Sequence, residues 1–406
     1  MRGDLPANLL LESAVIEDPY PLYRRLVDEA PVWQVPGTDI VVVSAFAAVT
    51  EATNRVDDFS SNIRALLYRS ETGAPAVVPF DLGSASQALA TADPPTHTAH
   101  RSAVFPELVS RRMAELRPDI EALTSTRLDA ALSSKRFEFM ATIANAIPIR
   151  VVSNLIGFDD EDPDALLDAA FASTALLAAT HSLDEMKAEM ARTAAVFDWM
   201  NEQLERACAG SAEGILAAVS AAVAAGDLDV GEGLVIIHTM LSAGGESTTS
   251  LLGNAVHILA VMPELQNKMR SDSALVVPFI EEVLRLESPF RYHLRHVART
   301  SELCGVTIPA ESTMLLFWGA ANRDPAQYDR PDDVVLDRKA PRHHLGFGRG
   351  IHLCVGAPLA RLEAQVILTQ LLQRTEHFAL DPDSHPERVN SLMVRRFSRL
   401  AIIATT

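Results

Sequence analysis

The sequence predicts a mainly α-helical protein with a minor β region. From about residue 105 to 225 the chain is rich in alanine and leucine and poor in glycine, which is typical of consecutive helices. Residues 229–261 form the longest stretch with helical periodicity. Short strand-like runs lie near residues 31–43 and again around 294–298, 303–308 and 313–317.

A β-hairpin is expected near the N-terminus. Within residues 31–43, the hydrophobic residues Val32, Trp33, Val35 and Ile40 to Val43 flank the turn-forming pair Pro36-Gly37. In the later run 303–308, Cys304 stands inside an apolar stretch, and we expect it to lie in the core.

The long helix has clear boundary signals. Asp229 with Glu232 three residues later suits a helix start, and Pro263 predicts its end. Inside it, the glycines of Ala243-Gly244-Gly245 each cost about 1 kcal/mol relative to alanine. Small residues could let another helix approach closely, or they could interrupt the helix and leave room at a site. We expect the second, because Glu246 and Ser247 follow directly.

Composition limits the classes of function. The chain has 406 residues, of which 48% are hydrophobic, so a large core is possible. Neither a flexible linker nor an internal repeat divides residues 1–406, so we expect a single domain. The net charge of −18 argues against a nucleic-acid partner. Three widely spaced cysteines do not suggest a disulfide framework and fit a reducing cytoplasm.

The first residues predict neither a signal peptide nor a membrane anchor. Asp4, Pro6 and Glu12 interrupt any apolar stretch at the N-terminus. Elsewhere the sequence has no run of about 18 to 20 apolar residues, the length needed to span a bilayer.

Residues 347–356 read Phe-Gly-Arg-Gly-Ile-His-Leu-Cys-Val-Gly and enclose Cys354 between glycines. Such a loop can fold tightly around the sulfur and direct several backbone N–H groups at it. Hydrogen bonds of this kind stabilise a thiolate that serves as a metal ligand. The alternative is a buried, inert cysteine in a glycine-rich turn.

The loop resembles the haem-ligand signature of the cytochrome P450 family, Phe-Gly-x-Gly-x-His-x-Cys-x-Gly, with every fixed position filled. Further segments match in the family's order, and the resemblance spans nearly the whole chain. They are Asp93-Pro94-Pro95-Thr96-His97 with Arg101, Ala243-Gly244-Gly245-Glu246-Ser247-Thr248, Glu282-Val283-Leu284-Arg285, Asn322-Arg323-Asp324-Pro325 and Ala357-Pro358-Leu359-Ala360-Arg361-Leu362-Glu363. The resemblance implies the cytochrome P450 fold, with haem between the long central helix and the helix after the cysteine loop.

The resemblance also implies the cofactor and its site. Haem b would be held by Cys354 as the axial iron ligand, within a loop shaped by Phe347, Gly348 and Gly356. Ala243 and Gly244 would leave room for dioxygen. The haem propionates would bind a set of basic residues: His97, Arg101, Arg295 and His352.

Three residues of the long helix are expected to be catalytic. By resemblance, Glu246 and Ser247 would relay protons to the site of oxygen activation, with Thr248 as a possible substitute. The family usually has threonine at the position of Ser247, and serine lacks the methyl group that fixes the side-chain rotamer. Glu282 and Arg285 share a helix face and could be a solvated pair. The resemblance instead makes them a buried structural triad with Arg338.

The expected substrate pocket is mostly apolar. By resemblance its walls come from residues 62–92, 240–244, 289–294 and 391–394. The apolar members are Ile63, Leu66, Leu67, Leu241, Phe290, Leu392 and Met393, and the polar candidates are Arg291, Tyr292 and His293. Apolar walls are usual for ligand sites and do not identify the substrate.

The predicted function is a haem-thiolate monooxygenase of the soluble bacterial type. It would insert one atom of O2 into a small apolar organic substrate. Because no flavin or reductase domain is evident, electrons would come from a ferredoxin plus ferredoxin reductase. Basic or titratable residues near the loop would attract an acidic ferredoxin: Arg342, His343, His344, Arg349 and Arg361. The alternatives are a peroxide-driven or rearranging haem enzyme and a haem or ligand-binding protein without turnover.

Overall fold

The computed structural model describes residues 5–80, 87–158, 162–210 and 212–406. Within these residues helices dominate. The helices are α1 (Ser13–Glu17), α2 (Tyr20–Glu29), α3 (Phe46–Asn54), α4 (Thr96–Val104), α5 (Ser110–Leu132), α6 (Ala146–Ile156), α7 (Pro163–Ala175), α8 (Leu183–Ala209), α9 (Gly214–Ala225), α10 (Val230–Val261), α11 (Pro263–Ser271), α12 (Val276–Leu286), α13 (Trp318–Ala321) and α14 (Ala357–Arg374).

The strands are short and gather mainly in the first and last quarters of the chain. They are β1 (Val32–Gln34), β2 (Ile40–Val43), β3 (Phe59–Ser60), β4 (Ala65–Arg69), β5 (Pro75–Pro79), β6 (Arg136–Glu138), β7 (His293–Val297), β8 (Ser301–Leu303), β9 (Val306–Ile308), β10 (Thr313–Leu316), β11 (His377–Leu380), β12 (Glu387–Arg388), β13 (Phe397–Arg399) and β14 (Ala401–Thr405). The mainly α class with a minor β region is confirmed.

The largest sheet has five strands in the order β1-β2-β10-β7-β3. Strands β1 and β2 pair antiparallel and confirm the predicted hairpin. Strand β10 lies parallel to β2, with Thr313 opposite Ile40. Ile40 and Val42 face one hydrophobic cluster, whereas Val41 and Val43 face another. Because both faces are covered, β2 is apolar at every position.

Helix α10 crosses the middle of the largest hydrophobic cluster, together with α5, α6, α12 and α14. Its predicted boundaries are confirmed. The Glu232 backbone N–H donates to Asp229 Oδ1 at 2.7 Å, and the Asp229 N–H donates to Glu232 Oε2 at 2.9 Å. The helix ends at Val261, before Pro263 begins α11.

Two expectations about local structure are wrong. Helix α10 is not interrupted at Ala243-Gly244-Gly245 but remains α-helical throughout. Residues 303–308 do not form one strand, because Cys304 and Gly305 make the two-residue turn of the β8–β9 hairpin. Both have positive φ, +50° and +72°, which such tight hairpins require. Cys304 is therefore exposed and does not belong to the core.

No single helix within the described residues is long and apolar enough to cross a membrane. The bent pair α8 and α9 would meet the same length and composition criteria only when taken together.

Candidate functional site

The loop that carries Cys354 is held in shape by its own backbone hydrogen bonds and by a close contact with the end of α12. The Cys354 N–H donates to Phe347 O at 2.9 Å, which closes the loop. Gly348 and Gly350 have φ of +68° and +72°, a region that side-chain-bearing residues rarely occupy. A Cβ on Gly346 would lie 2.7 Å from Leu284 O, so this glycine lets the loop approach the end of α12.

The sulfur of Cys354 lies at the start of α14, whose first residues follow at once. Burial raises the pKa of the Cys354 thiol, and hydrogen bonds from the N–H groups of Gly356 and Ala357 act against this. The N-terminal end of a helix also favours negative charge. A cation bound at the sulfur would shift the balance further to the thiolate. The arrangement suits a metal ligand better than an inert cysteine.

Cys354 faces a cavity between its loop and α10. About 1470 Å³ of space free of protein atoms lies in this cavity, a figure that includes space open to solvent. The α10 residues on its wall are Thr239, Met240, Ala243, Gly244, Ser247, Thr248 and Leu251.

The small residues of α10 have two roles that do not compete. Ala243 and Gly244 line the cavity opposite Cys354, as expected for an open space there. A Cβ on Gly244 would also lie 2.8 Å from Val152 Cγ2, so Gly244 lets α6 pack closely against α10. The close-approach explanation therefore applies as well.

The three expected catalytic residues do not all face the cavity. Ser247 and Thr248 line it, and Ser247 Oγ donates to Ala243 O at 2.6 Å. Glu246 is not among the lining residues. Its Oε1 accepts from Arg396 Nε at 2.6 Å, and its Oε2 accepts from Thr174 Oγ1 at 3.1 Å. Burial raises the pKa of Glu246, while Arg396 acts in the opposite direction.

The four basic residues expected at the propionates come together on one side of the cavity. His97, Arg101, Arg295 and His352 all line it. The rings of His97 and His352 are 4.4 Å apart, and His352 Nε2 is 2.8 Å from Ser61 Oγ. Burial lowers the pKa of His352 to about 3, with Arg295 adding to the effect.

Several of these groups lack the partners that buried polar groups normally have. His352 Nδ1 is buried with no hydrogen-bond partner in the described part of the chain. Arg295 is buried, and its hydrogen bond within the described residues goes to Leu294 O, at 2.7 Å. Burial lowers the pKa of Arg295 to about 10, so it stays cationic at neutral pH. Unsatisfied donors and a buried cation suit the carboxylates of a bound cofactor.

The expected substrate-pocket residues divide into two groups. Met240, Phe290 and His293 line the cavity. Leu66, Leu67, Leu392 and Met393 pack instead into the hydrophobic cluster beside β2, Ile63 packs against that cluster, and Leu241 lies in the cluster around α10. Arg291 donates to Ile16 O, and Tyr292 donates to Leu177 O. Residues 81–86 of the expected loop lie outside the described residues.

Trp318 and Glu363 are among the cavity residues that were not assigned any role from the sequence. Trp318 begins α13 and lines the cavity next to His293. Glu363 follows Gly356 and Ala360 at helical spacing along α14, so all three face the cavity. Glu363 Oε2 is buried without a hydrogen-bond partner in the described residues, and burial raises the pKa of Glu363 to about 8. The sequence signal that could have identified Glu363 was its helical spacing from Gly356, at the end of the cysteine loop.

The predicted triad next to the site is confirmed. Glu282 Oε1 accepts from Arg285 Nε at 2.8 Å and from Arg338 Nε at 2.9 Å. Burial alone would raise the pKa of Glu282, but these two arginines hold it below its usual value. Arg285 also donates to Asn322 O, so the triad connects α12 with the segment that leads to the loop.

The predicted basic patch is partly wrong. His344 is buried and lies 2.9 Å from Glu281 Oε2, and Arg361 Nε donates to Glu281 Oε1 at 2.7 Å. Both side chains therefore bind a buried carboxylate. Arg342 Nε lies 3.7 Å from the same Glu281 Oε1, but the Arg342 side chain is 70% exposed and reaches the surface.

A cysteine ligand at a helix start, facing a helix of small residues across a large cavity, defines a thiolate-ligated cofactor site. The comparisons with known proteins agree. The sequence model described as Cytochrome P450 matches residues 224–400. The chain is 38% identical over 398 residues to cytochrome P450 144 of Mycobacterium tuberculosis, covering 98% of this chain and 91% of the relative.

Other relatives extend the comparison. The chain is 30% identical over 406 residues to the beta-dihydromenaquinone-9 omega-hydroxylase of Mycobacterium tuberculosis, covering 97% of this chain and 78% of that protein. The ligand-free structure of CYP164A2 from Mycobacterium smegmatis has a TM-score of 0.85 at 28% identity, covering 97% and 98% of the two chains. CYP109E1 from Bacillus megaterium, solved with testosterone, has a TM-score of 0.86 at 24% identity, covering 97% and 100%.

The chain belongs to the cytochrome P450 family. Membership implies a haem iron cofactor and monooxygenase activity, in agreement with a hydroxylase among the relatives.

Proposed function

We propose that this monooxygenase inserts one oxygen atom from O2 into a small apolar organic substrate, with electrons supplied by a ferredoxin and its reductase. The observation that carries the proposal is that Cys354, just before α14, lines the same cavity as Ala243, Gly244 and Ser247 of α10. When bound, haem iron supplies the oxygen-activating chemistry, to which a thiolate ligand contributes electron density.

The protein's own residues would hold haem b in this cavity. Cys354 would bind the iron, supported by the N–H groups of Gly356 and Ala357. His97, Arg101, Arg295 and His352 would bind the propionates, and Phe347 and Gly348 would shape the loop wall. The fit rests on the unsatisfied His352 Nδ1 and the buried Arg295.

Proton delivery would depend on hydroxyl groups. Ser247 and Thr248 present hydroxyls at the cavity wall, whereas Glu246 is bound to Arg396 and Thr174 behind it. Glu246 would therefore exchange protons only after releasing at least one of these partners. Because the ion pair is buried, this release would be energetically costly.

The substrate proposal rests on the apolar part of the cavity wall. This wall is formed by apolar side chains: Leu89, Leu108, Val152, Leu155, Met240 and Phe290. Two relatives, whose names or titles include beta-dihydromenaquinone-9 and testosterone, act on or bind largely apolar molecules. We also propose a cytoplasmic location, since the three cysteines are free.

The central experiment compares the ferrous–CO absorption band of the wild type with those of Cys354→His and Cys354→Ala. The thiolate band, which lies well to the red of the histidine form, should be present in the wild type and absent from both variants. A variant that kept the band would contradict the assignment of Cys354.

Assays of product formation distinguish the monooxygenase from the two alternative functions. Product formed with ferredoxin, reductase and O2 supports the monooxygenase. Product formed only with added peroxide would indicate a peroxide-driven enzyme. A thiolate band with ligand binding, but without product under either condition, would indicate a binding protein.

The ferredoxin would bind where the cysteine loop reaches the surface. Leu353, Ile351 and Phe105 are exposed apolar residues there, at 49%, 38% and 48% exposure. Arg342 and Arg349 add positive charge in a chain whose net charge is −18. Such a patch would attract an acidic partner, and the attraction would weaken over the Debye length of about 10 Å at 0.1 M salt.

The test measures the rate of first electron transfer against ionic strength. Arg342→Gln should slow it at low salt, whereas Lys187→Gln on α8 removes the same charge outside the patch and should not. Arg361 is a less suitable target because it donates two hydrogen bonds to the buried Glu281, whereas Arg342 Nε lies 3.7 Å from that carboxylate and its side chain is mostly exposed. Rates that respond to neither salt nor Arg342→Gln would place the binding surface elsewhere.

A further inference from the structure

His293 and Trp318 form a pair on the cavity wall that has no assigned role. His293 is the first residue of β7, and Trp318 is the first residue of α13. Both line the cavity. The indole Nε1–H of Trp318 donates to His293 Nδ1 at 2.6 Å.

This hydrogen bond determines the tautomer of His293. The indole nitrogen of tryptophan is a donor only, so His293 Nδ1 must act as the acceptor. A neutral imidazole with its lone pair at Nδ1 carries its proton on Nε2. His293 Nε2 is thus a fixed donor, and it has no hydrogen-bond partner within the described residues.

The ring also stays neutral. Burial lowers the pKa of His293 to about 3, and the charge of Arg295 contributes in the same direction. The rings of Phe290 and Trp318 are 5.7 Å and 5.9 Å from it, which restricts its rotation. A neutral, oriented donor in a cavity is suited to an oxygen acceptor.

The neighbours of His293 indicate which acceptor this is. Arg295 follows two residues later on β7, so both side chains point to the same face of the strand. His97, Arg101, Arg295 and His352 line the same cavity as His293, and the rings of His97 and His352 are 4.4 Å apart. The cluster contains donors for anionic oxygen, while the apolar wall lies on the other elements.

We propose that His293 donates its Nε2–H to a carboxylate of the bound haem, as a further member of the propionate-binding group. The proposal rests on haem binding in this cavity. Trp318 is then a positioning residue, because its indole N–H is bound to His293. The indole bond fixes the tautomer, and the short distance along β7 allows His293 and Arg295 to bind the same cofactor edge.

The test uses the haem-loaded protein and measures the rate of haem transfer to excess apomyoglobin. His293→Phe keeps an aromatic ring but removes the donor, and haem release should become about 10- to 100-fold faster, as expected for one lost hydrogen bond to a charged group. His293→Gln keeps an N–H donor and should restore most of the retention. His296→Phe is the matched control, because it makes the same substitution on the other face of β7.

A second readout is the reduction potential of the haem. Loss of the donor leaves more negative charge on the carboxylate, so His293→Phe should have a lower potential than the wild type, and His293→Gln should be intermediate. A general packing defect would not be rescued by glutamine. If His293→Phe does not fold, the comparison of His293→Gln with His293→Leu gives the same contrast.

Equal haem release from wild type and His293→Phe would overturn the proposal. So would an effect of His293→Phe confined to substrate spectral titrations, seen with a ketone but not with the matching hydrocarbon, because the acceptor would then be a substrate oxygen. The ferrous–CO band distinguishes this failure from that of the proposed function. A wild type without the thiolate band would contradict both.

Discussion

Ser247 differs from the threonine usual in the family by one methyl group, and that group controls the direction of the hydroxyl. The hydroxyl now donates to Ala243 O within the helix. A serine rotates among rotamers more freely than the β-branched threonine. The hydroxyl is therefore less firmly held for proton delivery into the cavity.

Substitution at Ser247 should change the coupling of electron consumption to product formation. We expect Ser247→Ala to divert electrons to peroxide or water and Ser247→Thr to improve coupling. The measurement is product formed per electron pair consumed, with Thr248→Ala as the comparison at the adjacent hydroxyl. If neither alanine variant alters coupling, these hydroxyls do not relay protons.

Glu363 should make stability depend on pH. Its folded-state pKa of about 8 lies above the usual 4.5, so the native protein holds a proton that the unfolded chain releases. Between these values the wild type should lose stability as pH rises, by up to about 1.4 kcal/mol per unit. Glu363→Gln should lack this loss. In denaturant unfolding, the free energy of unfolding of Glu363→Gln minus that of the wild type should increase from pH 5 to 8 and then level off. A difference that stays constant over this range would show that Glu363 is ionised throughout.

At the scale of elements, α6 and α10 approach closely at Gly244. A methyl group added there would meet Val152 Cγ2 at 2.8 Å. Overpacking of a core costs roughly 1–3 kcal/mol. The gain in helix propensity from glycine to alanine is only about 1 kcal/mol. The steric effect should therefore prevail.

Gly244→Ala should lower the free energy of unfolding by about 0–2 kcal/mol, the difference between these two effects. In a Val152→Ala background the clash is absent, and Gly244→Ala should become neutral or stabilising. Chemical denaturation of the four proteins of this double-mutant cycle measures the interaction. Additive effects would show that the helices do not touch at this point.

Some elements could be predicted from the sequence because their signals are local. The capping residues Asp229 and Glu232, the hairpin of β1 and β2, and the loop around Cys354 each depend on neighbouring residues. The turn at Cys304-Gly305 was also signalled by its glycine, but the surrounding apolar run suggested a single strand.

Ion pairs between residues far apart in the sequence could not be predicted in this way. Glu246 pairs with Arg396, 150 residues later, and Arg361 pairs with Glu281, 80 residues earlier. A charged residue in a sequence does not reveal whether it will be buried with a distant partner. For this reason the orientation of Glu246 and the internal role of Arg361 emerged only from the fold.

At the scale of the whole molecule, Glu287 joins distant parts of the chain. Its carboxylate accepts from Arg395 Nε at 3.1 Å and from the Tyr20 hydroxyl, and Arg323 Nη2 lies 3.6 Å away. Arg395 also donates to Glu17 O at 2.8 Å. Helices α1 and α2 are thereby tied to the end of α12 and the C-terminal segment. This supports our proposal that residues 1–406 form one domain.

Replacement of Glu287 should destabilise the whole unit. Burial alone would raise the pKa of Glu287, but the surrounding arginines hold it near 2. Its contribution is therefore complete above about pH 4.5 and is lost as pH falls toward 2. Glu287→Gln, which leaves buried arginines unpaired, should cost roughly 3–5 kcal/mol near neutral pH.

Thermal unfolding followed by circular dichroism and by haem absorbance should show one shared transition in both proteins, lower in the variant. The difference between wild type and Glu287→Gln should shrink in acid. Separate transitions for the N-terminal and C-terminal parts would contradict the single domain.

The parallel pairing of β2 with β10 has a consequence for synthesis on the ribosome. About 270 residues must follow Ile40 before Thr313 emerges to pair with it. Until then β2 has its β1 partner on one edge and no partner on the other, so the nascent chain exposes an apolar edge until β10 emerges. Cys354 emerges later still, so its thiolate cannot bind haem iron before that point. Protease digestion of ribosome-stalled chains should show protection of the β1–β2 hairpin only when the stall site lies beyond β10.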